Sequence, residues 1–126
     1  MRMSAYSFPE LAQVTKAMGD QTRMRMLHLL LRRGELCVCD IESCLQLSQS
    51  KTSRHLAYLR NAGMVTARRD RNWVHYKLNM EDPVVAGLMR VIRAALATDL
   101  VAIADLERHD SCCSPQRCDA AAEGSA

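Results

Sequence analysis

The chain has 126 residues, 48% of them hydrophobic and 25% charged, with a formal net charge of +3. That suffices for one domain with an ordinary core. No apolar run approaches the ~20 residues of a membrane span, and the N-terminus lacks a signal-peptide core, so a cytoplasmic protein with no membrane partner is expected. In a reducing compartment its six cysteines suit soft-metal ligation or redox chemistry better than a disulfide framework. The charge is uneven: residues 49–77 carry seven basic side chains against Asp70 alone, a local +6, leaving −3 for the rest. A basic centre between mildly acidic ends is the footprint of a polyanion-binding face.

Met1 to Ser7 shows no periodicity. Ser7 or Phe8 ahead of Pro9 opens a first helix, with Leu11, Val14 and Met18 recurring at helical spacing until Gly19. Asp20 is the expected N-cap of a second helix, whose apolar stripe of Met24, Leu27, Leu30 and Leu31 ends at Gly34. His28 lies beside that stripe and is expected as a partly buried core residue rather than a ligand. Glu35 to Val38 is a short apolar connection or minimal strand, after which Asp40 is expected to cap a brief helix carrying Ile41 and Leu45 inward.

Leu47-Ser48-Gln49-Ser50 then makes a turn, with Ser48 capping a helix that runs to about Asn61 before Ala62-Gly63. On that helix Thr52, Leu56 and Leu59 share one face, while Ser50, Arg54, Tyr58 and Asn61 share the other and Lys51, Ser53 and His55 lie on the flanks. A short helix, a tight turn and a longer polar-faced helix is the order of a helix-turn-helix that reads double-stranded DNA. The candidate contacts are Ser48, Gln49, Ser50, Lys51, Ser53, Arg54 and His55, which offer hydroxyls, an amide and cations to base edges and phosphates.

Met64 to Ala67 and Trp73 to Leu78 alternate as two strands joined by Arg68-Arg69-Asp70-Arg71-Asn72, a wing whose tip arginines Arg68, Arg69 and Arg71 suit phosphate or minor-groove contact. Asp82-Pro83 opens a last helix in which Val85, Met89, Ile92, Leu96, Leu100 and Ile103 recur at helical spacing. That face is too wide for one small domain to cover, so a homodimer through the first and last helices is expected. The fold class is therefore mainly α with a small β-hairpin, a winged helix-turn-helix. It spans residues 1–108 as one DNA-binding and dimerisation domain, with 109–126 a flexible cysteine-containing tail.

Two thiols separated by one residue, Cys37 and Cys39, stand directly ahead of the reading motif. Together with Asp20-Gln21-Thr22-Arg23, Glu35-Leu36-Cys37-Val38-Cys39-Asp40, Ser53-Arg54-His55-Leu56, Leu59-Arg60-Asn61-Ala62-Gly63 and Trp73-Val74-His75-Tyr76, they resemble the ArsR branch of the ArsR/SmtB repressors over roughly residues 10–107. The resemblance implies a homodimeric repressor that binds operator DNA when ligand-free and releases it on binding arsenite or antimonite, derepressing arsenic-resistance genes. No catalytic cofactor and no enzymatic activity are implied.

Members with a three-cysteine site carry another thiol three residues after the second, where this chain has Glu42. Cys44 is a poor substitute. On a helix it would sit about 10 Å along the axis from Cys37, and about 7.5 Å from Cys39 at roughly 140° around it. Cys37 and Cys39 themselves would diverge by about 200° on a regular helix, so joint ligation is expected to need non-helical backbone and to pull the start of the motif out of helical geometry. A third thiol from Cys112, Cys113 or Cys118 in the tail, of the same or the partner subunit, would complete a three-coordinate site or form a second one.

The rivals on this fold are a zinc-type sensor, with Cys112, Cys113, Cys118 and His109 as a tetrahedral set, and a thiol-redox switch at Cys37-Cys39 or Cys112-Cys113. A thioredoxin-like enzyme would want Cys-x-x-Cys, which the spacing does not provide.

Overall fold

A computed structural model describes residues 6–112. Helix α1 (Phe8–Met18) starts with a reciprocal capping box: the Ser7 hydroxyl accepts from the Glu10 N–H, and the Glu10 carboxylate accepts from the Ser7 N–H. Asp20 caps α2 (Gln21–Arg33) by accepting from the Arg23 N–H. The α2 helix is the central element, with Met26, Leu27, His28, Leu29 and Leu30 all buried. Gly34 ends it with φ 80° and ψ −153°, a combination essentially restricted to glycine, and so redirects the chain into strand β1 (Leu36–Cys37).

Helix α3 (Val38–Leu45) follows without a break. Its N-cap is Cys37, in extended conformation, and Asp40 lies in its first turn, so the expectation of Asp40 as cap is corrected by three positions. Gln46 closes α3 in the left-handed region, and the Leu47 N–H reaches back to the Glu42 carbonyl at 3.1 Å. Ser48 then caps α4 (Gln49–Asn61), accepting from the Lys51 N–H at 3.2 Å. Thr52, Leu56 and Leu59 are fully buried, as their shared face requires.

Strands β2 (Val65–Asp70) and β3 (Trp73–Leu78) pair antiparallel from Val65↔Leu78 to Asp70↔Trp73, leaving Arg71 and Asn72 as the turn. Arg68 and Arg69 therefore belong to the strand, where they pair with His75 and Val74, and only Arg71 sits at the tip. Their charge disguised strand residues as loop. The sheet order is β1-β3-β2, with Leu36 opposite Tyr76 and Cys37 opposite His75.

The expected long last helix is instead two, α5 (Pro83–Ala95) and α6 (Leu100–Cys112). Asp99 accepts from the Ala102 N–H at 2.9 Å and so caps α6, a stop-and-start signal hidden under continuous apolar periodicity. The break lays α6 on α2 and α3, burying Ala102, Asp105 and Leu106, while Leu100 and Ile103 of the expected apolar face stay exposed. Val85, Met89 and Ile92 of α5 complete the core, while Val91 stays 62% exposed. Helix α6 also runs through Cys112, past the expected boundary at 108. No helix among the described residues is long and apolar enough to cross a membrane.

Candidate DNA-reading face and thiol site

The reading face is assembled by α4 projecting away from the core. Ser48, Gln49, Ser50, Lys51, Ser53 and Arg54 are exposed, and the α4 N-terminus leaves backbone N–H groups available to a phosphate. His55 is placed differently, turned toward the α1–α2 junction. There its Nδ1 lies 3.4 Å from Arg23 Nη1 and 4.0 Å from Asp20 Oδ2. Burial, opposed by Asp20, pushes the His55 pKa below its ordinary value. Arg23 also stacks over Tyr58, 4.1 Å from the ring centroid, and donates to the Ala17 and Lys16 carbonyls, so it ties α4 to the end of α1.

On the wing, Arg68 does not point its guanidinium freely outward. It grips Glu35 with contacts of 2.7–3.0 Å, and this hydrogen bonding holds the Glu35 carboxyl below the usual carboxylate range. Glu35 is two residues ahead of Cys37, so the wing is fastened to the thiol segment twice, through this ion pair and through the β1–β3 ladder.

Cys37 is buried at the end of β1 and Cys39 half-buried in the first turn of α3. A strand-to-helix junction brings side chains two apart to the same place, with a Cα–Cα distance of 5.4 Å, and the structure pairs the two sulfurs as a disulfide. The expected need to pull both residues out of helical geometry is corrected, because Cys37 already lies outside the helix. Ligand atoms of Cys37, Cys39 and Asp40 lie within 4.8 Å of one another, which makes this a fitting donor set for one thiophilic ion when the thiols are reduced. Asp40 as a donor is absent from the sequence reading; its adjacency to Cys39 was the available signal.

Cys44 lies in the core, fully buried. Glu42, where the resemblance places a third thiol, is half-buried, and its carboxyl is pushed up by that burial. Cys113 and Cys118 lie outside the described residues, and of Cys112 only the backbone is described. On the last helix, Asp99 is spent on capping α6 and Asp105 on two arginines.

Those arginines clamp α3. Buried Asp105 accepts from Arg25 Nε at 3.0 Å and Nη2 at 2.8 Å, and from Arg108. Arg25 then donates to the Leu45 carbonyl at 3.3 Å and Arg108 to the Cys44 carbonyl, which satisfies the C-terminal end of the helix that begins at the thiols. Sequence reasoning missed this network, although an acidic residue inside the Ala102–Leu106 stripe was a visible signal.

Residues 20–67, which hold α2, the thiol segment and both reading-motif helices, match the profile of "Bacterial regulatory protein, arsR family". The arsenic resistance transcriptional regulator ArsR1 of Pseudomonas putida is 42% identical over 98 residues, covering 74% of this chain and 77% of that protein. The chain belongs to the arsR family of bacterial regulatory proteins. Like other arsR-family members it is a DNA-binding transcriptional regulator with a winged-helix fold, and not an enzyme. The crystal structure of the AntR antimony-specific transcriptional repressor superposes with a TM-score of 0.63 at 26% identity, covering 77% of this chain and 86% of that one. A cadmium resistance regulatory protein CadC homolog from Staphylococcus aureus is 38% identical over 72 residues, 57% of this chain and 60% of that protein. Relatives named for arsenic, antimony and cadmium thus surround the same scaffold.

Proposed function

We propose that this regulator is a homodimeric repressor that holds operator DNA when ligand-free and lets go when Cys37 and Cys39 bind trivalent arsenic or antimony as thiolates. The observation that carries this reading is the thiol pair itself: two sulfurs brought together at the β1–α3 junction, one short helix ahead of α4. Ligation there acts on α3 at its N-terminal end while the arginine clamp holds its C-terminal end, so α3 can transmit a tilt to the α3–α4 turn. Operator contacts fall to Ser48, Gln49, Ser50, Lys51, Ser53 and Arg54, with Arg69 and Arg71 on phosphates. Arg68 and His55 take secondary parts because Glu35 and the α1–α2 junction engage them. Exposed Phe8, Leu11 and Val91 offer the apolar surface for the second subunit.

Release requires ligand to bind the DNA-incompetent state more tightly than the competent one; a hundredfold fall in DNA affinity needs about 2.7 kcal/mol of that difference. The test is fluorescence anisotropy on duplexes selected from a random pool by the reduced protein. Arsenite is expected to raise the DNA Kd, and Cys37→Ser and Cys39→Ser each to abolish that response while leaving ligand-free DNA binding intact. A full response in either variant would refute the assignment.

The disulfide between Cys37 and Cys39 favours a second reading, a thiol-redox switch. It predicts that peroxide alone releases the DNA and dithiothreitol restores it, whereas the metalloid reading predicts arsenite release under full reduction.

A further inference from the structure

Arg23 stands in the first turn of α2, the wrong end of a helix for a cation, yet it is half-buried with all three guanidinium nitrogens engaged. Its side chain turns back to the opposite kind of end. Nε donates to the Ala17 carbonyl at 2.7 Å and Nη2 to the Lys16 carbonyl at 3.2 Å, both in the last turn of α1, where the helix favours a cation. Nη1 lies 3.4 Å from His55 Nδ1, and the guanidinium carbon lies 4.1 Å from the centroid of the Tyr58 ring. An arginine only donates, so Nδ1 accepts and the His55 ring is neutral. One side chain of α2 thus joins the end of α1 to one turn of α4.

Burial of Thr52, Leu56 and Leu59 holds α4 to the core, but burial is a force without direction. The planar arginine fork adds direction, because its hydrogen bonds and its stacking are met only over a narrow range of angles. Tyr58 lies eight residues after Ser50, about 12 Å of helix, so a tilt of about 10° pivoting at Tyr58 would carry Ser50 by about 2 Å. That is more than a hydrogen bond to a base edge tolerates.

We propose that Arg23 is a positioning residue for DNA recognition: by fastening His55 and Tyr58 to the end of α1, it sets the angle at which α4 meets the base edges. It thereby governs how well the regulator tells its operator from other DNA. The proposal rests on the reading of α4 as the recognition helix. Helix α1 also carries exposed Phe8 and Leu11, assigned above to the second subunit, so the same link fixes α4 relative to the two-fold axis. Arg23 itself touches no DNA in this arrangement. Base contacts demand an angle, whereas attraction to phosphates tolerates many, so loss of Arg23 falls on specificity.

The test compares the reduced wild type with Arg23→Met and Tyr58→Leu by fluorescence anisotropy over a range of salt. Each binds a duplex selected from a random pool by the wild type, and a shuffled duplex of the same length. Arg23→Met is expected to lower the ratio of selected to shuffled affinity by about tenfold, the order of one misplaced base contact. The salt dependence on the shuffled duplex is expected to stay at the wild-type slope, because no phosphate contact is lost. Tyr58→Leu leaves the carbonyl bonds in place; it is expected to lower the ratio by less, and to add little on top of Arg23→Met.

A wild-type ratio in a folded Arg23→Met protein, checked by circular dichroism, would overturn the proposal and leave Arg23 a purely structural tie. A slope shallower by about 0.9 would overturn it as well, since Arg23 would then be a direct phosphate contact. Should Arg23→Met fail to fold, Tyr58→Leu decides, and a wild-type ratio there overturns the proposal. An Arg54→Ala protein with the wild-type ratio would bring down the reading of α4 as the recognition helix, and this proposal with it.

Discussion

Replacing Asp105 with Asn tests whether α6 holds the recognition motif in place. The change keeps shape and one acceptor oxygen but removes the charge shared by Arg25 and Arg108. The carboxylate side chain is 1% exposed, against 28% and 30% for the two arginines. Removing one partner of a fully buried pair costs about 3–5 kcal/mol, because the other charge is stranded. Here both cations reach water, which lowers the expected loss to about 2–3 kcal/mol. For a domain of this size that corresponds to a fall in Tm of about 6–15 °C. The assay is urea and thermal unfolding of the reduced protein by far-ultraviolet circular dichroism, with an Arg108→Met variant and the double variant to close the cycle. Arg108→Met should add little on the Asp105→Asn background, since both break the same network. A loss below about 0.5 kcal/mol, within the range of ordinary surface substitutions, would refute the clamp.

Acid should destabilise the protein through His28. Burial depresses its pKa below the ordinary 6.5, so the unfolded chain binds the proton more readily. The stabilising contribution is complete above pH 6.5 and is lost as pH falls through the folded pKa; His55 adds in the same direction. A His28→Gln protein should show a shallower decline in urea midpoint below pH 6.5, and an unchanged slope would contradict the argument. Salt titration of DNA binding should separate the wing arginines: Arg71→Ala lowers the slope of log affinity against log salt by about 0.9, whereas Arg68→Ala, already engaged by Glu35, changes it less. Equal slopes for the two variants would count against the placement. Gly34→Ala should cost about 1–3 kcal/mol by backbone strain alone, because an added Cβ meets nothing within 4 Å; an unchanged unfolding midpoint would rule the strain out.

Elements with local signals were legible in the sequence. Ser7, Asp20 and Ser48 cap where their positions ahead of apolar stripes say they should, and the inward face of α4 follows from its spacing. What escaped depends on partners distant in sequence. The break at Asp99 is a weak local cap under an unbroken apolar pattern, and it prevails because α6 buries Ala102 and Leu106 by packing on α2 and α3. Arg68 looked like wing-tip charge because its Glu35 partner is 33 residues away. The thiol pair was visible as a motif together with its need for non-helical backbone; what was not legible is that the fold already supplies that backbone, by ending β1 at Cys37.

Strand β1 spans only two residues and lies at the edge of the wing's sheet. Detaching it would break few ladder bonds, draw Leu36 from the edge of the core and part Glu35 from Arg68, while the rest of the α2-centred core stays packed, so opening there costs less than global unfolding. On the proposed ligation of Cys37, this segment would serve as a latch on the wing, released locally rather than by global unfolding. Because neighbouring residues of a strand face opposite sides, a slip of one position would turn Cys37 away from its present side altogether. Such a latch has closed and open positions with little between them, which suits a switch better than a dial.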